Sequence, residues 1–107
     1  MKIYTGTDII EIERVKNSIE NIGKKFIEEI YTQKEIEYCE SKKNAKYQHY
    51  AARFAAKEAT FKALGNRISN KWTWKSFEVI KKENGKPGIK LKENRNENKL
   101  WNRYYRN

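Results

Sequence analysis

Ala51-Ala-Arg-Phe-Ala-Ala-Lys-Glu-Ala-Thr-Phe-Lys-Ala-Leu-Gly65 is the stretch on which the reading of this chain turns. Alanine, leucine, lysine, glutamate and arginine are good helix formers, and no glycine or proline interrupts them before Gly65, so the spacing predicts one continuous helix. That helix carries a carboxylate and an ammonium where a buried seam should be apolar. Glu58 has Phe54 and Ala55 one turn before it, Phe61 one turn after it, and Lys62 at i+4. Residues three and four apart share a helix face. A carboxylate among apolar neighbours is costly unless it is paired or binds a metal. Two readings follow. Lys62 pairs with Glu58 in an ordinary i,i+4 contact, or the two serve a metal–phosphate site, with Glu58 as ligand and Lys62 as phosphate clamp. Helix physics by itself favours the pair, because such pairs are common.

The 107 residues make one domain, small enough that its own core is limited at 37% hydrophobic and 36% charged residues. Oligomerisation is a natural source of the missing burial. The net charge of +10 implies an acidic partner: nucleic acid, an anionic membrane surface, a phosphorylated ligand or an acidic protein. Composition does not choose among them. The single cysteine, Cys39, excludes an intrachain disulfide and reads as a reduced thiol in a helical stretch rather than a nucleophile. No apolar run reaches membrane-spanning length and the N-terminus has no signal-peptide core, so the expected location is cytoplasmic.

Working outward from the central helix, Ile3 to Ile10 alternates around Gly6 and predicts a first strand. Ile12, Val15, Ile19 and Ile22 recur at helical spacing up to Gly23, with Asp8 at the junction, where it also suits a helix cap. Residues 24–31 continue helically. Thr32 with Glu35 forms a capping box for a helix through about Ser41. Lys42-Lys43-Asn44 is a polar break, and Asn44 is a fitting N-cap for the long helix, which Gly65 ends. Phe77 and Val79, a turn at Glu83-Asn-Gly-Lys-Pro87, then Ile89 and Leu91 predict a hairpin. Residues 93–107 differ: five Asn, four Lys/Arg and two acids, with Leu100, Trp101, Tyr104 and Tyr105 clustered late. The pattern is neither strand nor helix.

Several of these blocks carry a resemblance. Ala55-Ala-Lys-Glu-Ala59 followed by Lys62-Ala-Leu-Gly65 resembles the central motif of the bacterial holo-acyl-carrier-protein synthases, a branch of the phosphopantetheinyl transferase family. Gly6-Thr-Asp8-Ile-Ile-Glu-Ile-Glu-Arg14 is similar to the family's Gly-x-Asp-Ile with a downstream Arg. Thr32-Gln-Lys-Glu35, Trp74-Lys-Ser-Phe-Glu-Val79 and Asn84-Gly-Lys-Pro87 match its second helical opening, strand and turn. The five blocks stand in the family's order over residues 3 to about 91. The resemblance implies an α+β fold of the 4′-phosphopantetheinyl transferase type: a small antiparallel sheet packed against a long central helix and shorter helices. It divides the chain into a transferase-like domain over 1–92 and an atypical tail over 93–107, where the family's final strand with its Ser-x-(Ser/Thr)-His pattern is not found. A frameshifted or truncated end, and lowered activity, is the corresponding expectation.

The implied reaction moves 4′-phosphopantetheine from coenzyme A to a serine of apo-acyl carrier protein, releasing 3′,5′-ADP. Such a displacement at phosphorus needs charge neutralisation and alignment more than a protein nucleophile. By motif, Asp8 and Glu58 are the Mg²⁺ ligands and Lys62 contacts the phosphates; a carboxylate or a water takes the serine proton, and the sequence leaves that open. Gly65 would lead the backbone past the pyrophosphate, although Gly65-Asn-Arg67-Ile68 departs from the family's Gly-Thr-Gly-Ile. Asn84, Gly85, Lys86 and Pro87 resemble the adenosine-side wall given by a neighbouring subunit of a homotrimer; they fit an ordinary hairpin turn equally well. Arg14, Lys16, Lys24 and Lys25 with Ile22 and Phe26 resemble the basic patch for the carrier protein, with Arg53 a further candidate; by themselves they read as a solvated basic face. His49, the only histidine, lies outside these motifs. The alternatives are an impaired remnant of the family, and a small basic nucleic-acid-binding module using the aromatic and cationic end Trp101-Asn-Arg-Tyr-Tyr-Arg106. Against the second, no recognised signature appears. Much of the excess charge also lies near the tail, where residues 81–107 carry nine Lys/Arg against three acids.

Overall fold

The computed structural model describes residues 9–64 and 73–92. Helix α1 spans Ile9–Ile22 and ends, as the sequence predicts, at Gly23, whose φ of 88° is a conformation that L side chains rarely adopt. Ile9 and Ile10 are therefore helical rather than the end of a strand; the rest of that expected strand lies outside the described residues. Helix α2 follows over Lys24–Ile30. Helix α3, Gln33–Glu40, is opened by Thr32: its hydroxyl accepts from the Glu35 amide, and the Glu35 carboxylate accepts from the Thr32 amide. The capping box is complete.

Asn44 does not cap the long helix. Lys43–Ala45 forms a short 3₁₀ turn, with Lys43 itself at a φ of 54°, and helix α4 begins beyond it at Lys46 and runs to Leu64. The polar break is longer than the sequence suggests because the chain reverses through this tight turn before it becomes α-helical.

After a second 3₁₀ turn at Trp74–Ser76, strands β1 (Phe77–Lys81) and β2 (Pro87–Leu91) pair antiparallel. Phe77 stands opposite Leu91, Val79 opposite Ile89 and Lys81 opposite Pro87. Gly85, with φ at 86°, makes the turn; its amide donates to the Lys82 carbonyl at 2.8 Å, and Asn84 Oδ1 accepts from the Lys86 amide at 3.0 Å. The result is α+β, helix-rich with a small antiparallel sheet.

Helix α4 is the spine. Helix α1 packs along it, α3 and β1 also contact it, and the core gathers Val15, Ile19, Ile30, Tyr31, Cys39, Tyr50 and Ala51. Burial of this apolar surface, at roughly 25 cal/mol per Å², drives the assembly of the helices. An aromatic group closes the other end of the seam. Phe54 stacks on Trp74 at 5.2 Å, Phe61 meets Trp74 edge-on at 5.0 Å, and Phe61 meets Phe77 at 5.0 Å. No helix among the described residues is long and apolar enough to cross a membrane.

Candidate functional site

The central helix separates two kinds of charge. On its inner face Lys57 is fully buried. Its ammonium reaches Glu35 Oε1 at 2.7 Å and donates to the carbonyls of Ile30 at 2.7 Å and Trp74 at 3.1 Å. Three donors meet three acceptors, which is what makes a buried ammonium tolerable. Burial still holds the Lys57 pKa below its ordinary value, with the Glu35 carboxylate opposing the shift. Glu35, equally enclosed, spends one oxygen on Lys57 and the Thr32 amide and the other on the Val79 amide at 2.6 Å. Thr32 Oγ1 donates to Glu78 Oε2 at 2.5 Å, and Lys92 lies 3.8 Å from the other Glu78 oxygen. Glu78 is thereby buried on a strand where alternation would turn it outward.

The charge expected in the seam is thus one residue off. Lys57, not Glu58, occupies it; Glu58 is half-buried at its edge. Lys62 is exposed in the last turn of α4. The two share a face at i,i+4, yet no ion pair joins them. The simple pairing reading therefore does not account for them. What stands there is a half-buried carboxylate with no cation on it among the described residues, and an ammonium one turn further along. Asp8, the other carboxylate singled out by sequence, and Gly65 lie outside the described residues.

A second grouping involves α4 and the hairpin. A cleft of about 390 Å³ is lined by Tyr38, Ala52, Arg53, Ala55, Val79 and Pro87, with Gly85 at the turn. Arg53 is only 7% exposed, and its guanidinium lies 4.0 Å from the Tyr38 ring centre. Its Nε has no hydrogen-bond acceptor among the described residues. Arg53 therefore opens on this cleft rather than on the outer basic surface. The turn residues Asn84, Gly85, Lys86 and Pro87 are all exposed. Gly85 and Pro87 reach the same cleft as Arg53.

The basic residues of the first helices lie apart from both groupings. Arg14 is exposed on α1 and pairs with Glu11 at 3.0 Å; Lys24 and Lys25 are exposed on α2. Phe26 is half-buried and packs on the core. Cys39 is a free, buried thiol pushed up to about 12 by burial, which removes it as a nucleophile. His49 is half-buried edge-on to Tyr38, and burial lowers its pKa.

Sequence reading passed over Lys57, Glu78 and Tyr38. The only sequence signal for Lys57 is its place on the apolar face, three residues after Phe54 and four before Phe61, a place that Glu58 fits equally well.

The chain is similar to a protein of Ruminiclostridium cellulolyticum named holo-[acyl-carrier-protein] synthase, 53% identical over 91 residues that cover 85% of this chain and 68% of the relative. Proteins of the same name from Solibacter usitatus and Chloroherpeton thalassium are 48% and 42% identical over 91 residues, covering 72% and 74% of their lengths and 85% of this chain. No solved structure matches. The model of the 4′-phosphopantetheinyl transferase superfamily matches residues 4–105, running on past Leu91 into the stretch that sequence reading set apart as a tail. With nearly the whole sequence inside that match, and the Ala-Lys-Glu-Ala helix at the centre of the fold, the chain belongs to the 4′-phosphopantetheinyl transferase superfamily.

Proposed function

We propose that this protein is a holo-acyl-carrier-protein synthase: it transfers 4′-phosphopantetheine from coenzyme A to a serine of apo-acyl carrier protein and releases 3′,5′-ADP. The observation that carries the reading is the outer face of α4, where Glu58 and Lys62 stand one turn apart and are not paired with each other. The names of relatives at 42–53% identity support it.

The serine oxygen bonds to the phosphorus that bears the pantetheine, and the bond from that phosphorus to the bridging oxygen of the pyrophosphate breaks. The electron pair leaves with 3′,5′-ADP, and the serine proton goes to a carboxylate or a water at the site. Lys62, a compact exposed cation on a flexible stem, meets the phosphate oxygens and stabilises the charge growing on the leaving group. Glu58 fits a Mg²⁺ ligand because its carboxylate is half-desolvated and not neutralised by Lys62; Asp8 is the second ligand. Among the described residues no group of three or more His, Cys, Asp or Glu is gathered. Two carboxylates would suffice to hold Mg²⁺ where water and substrate phosphates supplied the other oxygens. When bound, the ion neutralises the pyrophosphate and aligns it for displacement.

Gly65 takes the backbone past the phosphates, and the Asn84-Gly-Lys-Pro87 turn of a neighbouring subunit walls the adenosine end. Arg14, Lys24, Lys25 and Phe26 form the surface for the acidic carrier protein. A homotrimer with sites between subunits is part of the same proposal, as is a cytoplasmic setting. Exposed Ile9, Ile10, Ile22 and Ile89 support the first, since a chain this small gains by covering them.

The nucleic-acid reading finds less support. Lys16 and Lys46 already lie over the Tyr47 ring, and Lys42 and Arg53 over Tyr38, so these aromatics are engaged within the fold rather than presented to bases.

The test is transfer of labelled phosphopantetheine to apo-acyl carrier protein. Glu58→Gln should lower turnover on the order of 10²–10³-fold. In calorimetry it should abolish the Mg²⁺ binding that depends on coenzyme A. A variant that turns over like the parent sinks the reading.

A further inference from the structure

We propose that Lys57 is a positioning residue: its ammonium, held by Glu35, Ile30 and Trp74, fixes the rotation of α4 and so aims Glu58 and Lys62 at the reacting phosphates. The inference rests on the proposed function of Glu58 and goes beyond it, because Lys57 itself faces the interior and touches no substrate.

The geometry is specific. Lys57 donates to the last residue of α2 and to the turn before β1, and it pairs with α3, at 2.7, 3.1 and 2.7 Å respectively. Glu35 passes the constraint on to β1 through the Val79 amide at 2.6 Å, and Thr32 adds a second tie to β1 through Glu78. One side chain of α4 is thus referenced to every element that surrounds it on that side. Glu58 follows one residue later, about 100° around the helix. Tyr50 adds ties of its own, its hydroxyl donating to Glu40 of α3 at 2.8 Å and its carbonyl accepting from Tyr31, but among the described residues Lys57 is the α4 side chain that reaches α2, α3 and the turn before β1 at once.

Stability alone does not require this arrangement. Buried ion pairs replaced by apolar groups of similar volume are often neutral or more stable. An apolar face, however, tolerates small rotations that three directed bonds do not. A side-chain tip lies about 6 Å from the helix axis, so a 20° rotation moves it by about 2 Å. A misplacement of about 1 Å can cost on the order of 10²-fold in rate. The expected penalty for losing the anchor is therefore large in catalysis even when the fold survives.

The test uses the full chain carrying Lys57→Met together with Glu35→Leu, which removes both charges and keeps volume. Three quantities are read: the thermal midpoint, the affinity for Mg²⁺ in the presence of coenzyme A by calorimetry, and turnover with apo-acyl carrier protein. Positioning predicts a cooperative thermal transition, an unchanged binding stoichiometry, a Mg²⁺ Kd raised about tenfold and turnover lowered on the order of 10²-fold. A merely structural role would lower the fraction of competent molecules and leave the Kd of the rest unmoved. If the Met/Leu pair does not fold, Lys57→Gln with Glu35→Gln keeps hydrogen-bonding groups without charge and is measured in the same way; failure of that pair to fold as well counts against positioning, since the network would then be indispensable structure. A folded variant with parental Kd and turnover overturns the inference. Glu58→Gln in the parent background separates the two proposals. If that change leaves Mg²⁺ binding untouched, the role of Glu58 fails; if it abolishes binding while the double variant binds normally, positioning alone fails.

Discussion

Lys57 and Glu58 are neighbours in sequence and opposites in circumstance. Lys57 is enclosed, and every proton of its ammonium has an acceptor; Glu58 is half-exposed, and the cation four residues away does not pair with it. A turn of 100° about one helix axis separates them. The inner face satisfies its charges within the protein and thereby becomes rigid. The outer face leaves its charges without partners among the described residues and thereby available to a ligand. A charge with all its partners in place is structural, and a charge held without them is poised for chemistry.

The largest effect is expected at Lys57. Lys57→Ala leaves Glu35 buried and uncompensated, and removing one partner of a buried pair typically costs about 3–5 kcal/mol. Denaturant unfolding should show a loss of that size, with the midpoint falling at constant slope. The next effect lies on the other face and in another observable. Glu58→Gln should cost turnover on the order of 10²–10³-fold, about 2.7–4 kcal/mol of transition-state stabilisation, while changing stability by less than about 0.5 kcal/mol. If both variants lose stability alike, or both lose only activity, the division between the faces does not hold.

Sequence reading went far with local features and stopped where tertiary contacts decide. The capping box at Thr32 and Glu35 and the hairpin around Asn84-Gly85 were both legible, because each is settled within a few residues. The central helix was legible too. Which of Lys57 and Glu58 points inward was not. Lys57 lies three residues after Phe54 and four before Phe61; Glu58 lies four after and three before, so the apolar pattern treats them alike. The choice falls to Glu35, whose second oxygen binds the Val79 amide 44 residues away. No local pattern contains that bond. The expected strand end at Ile9 and Ile10 failed for a related reason, since two adjacent isoleucines fit either period until the packing of α1 on α4 selects the helix.

A third class of charge sharpens the contrast. Arg14 forms a surface pair with Glu11 and keeps 65% of its side chain exposed. Such pairs contribute little to stability. Arg14→Glu should leave the thermal midpoint almost unchanged, yet slow association with apo-acyl carrier protein about tenfold at low salt. The deficit should fade as the Debye length falls from about 10 Å at 0.1 M salt to about 3 Å at 1 M. Stopped-flow association across that range checks it, and an association rate indifferent to both charge and salt removes α1 as the docking face.

The smallest effect belongs to the neutral side of the buried network. The Tyr31 hydroxyl donates to the Tyr50 carbonyl at 2.8 Å, and the Lys57 ammonium lies 5.7 Å from the Tyr31 ring centre. Burial first, then the nearby Cys39 and Glu35 groups, raise the Tyr31 pKa above the ordinary 10.0. The folded state therefore holds this proton more firmly than the unfolded chain does. The stability it contributes is complete below pH 10 and is lost as pH rises above it, by at most about 1.4 kcal/mol per pH unit for one group. Tyr31→Phe removes the hydrogen bond, at a cost of about 1 kcal/mol at pH 7, and removes the titration as well. Lys57, whose folded pKa is lowered, shifts stability in the opposite sense as pH rises toward its ordinary 10.5. Cys39 titrates there too, but both groups are present in parent and variant and largely cancel in the difference. The stability gap between parent and variant should therefore stay constant up to about pH 10 and close near pH 11. A gap that persists unchanged to pH 11.5 in denaturant titrations would mean that Tyr31 ionises as readily folded as unfolded, and that the enclosure around Lys57 is looser than its hydrogen bonds imply.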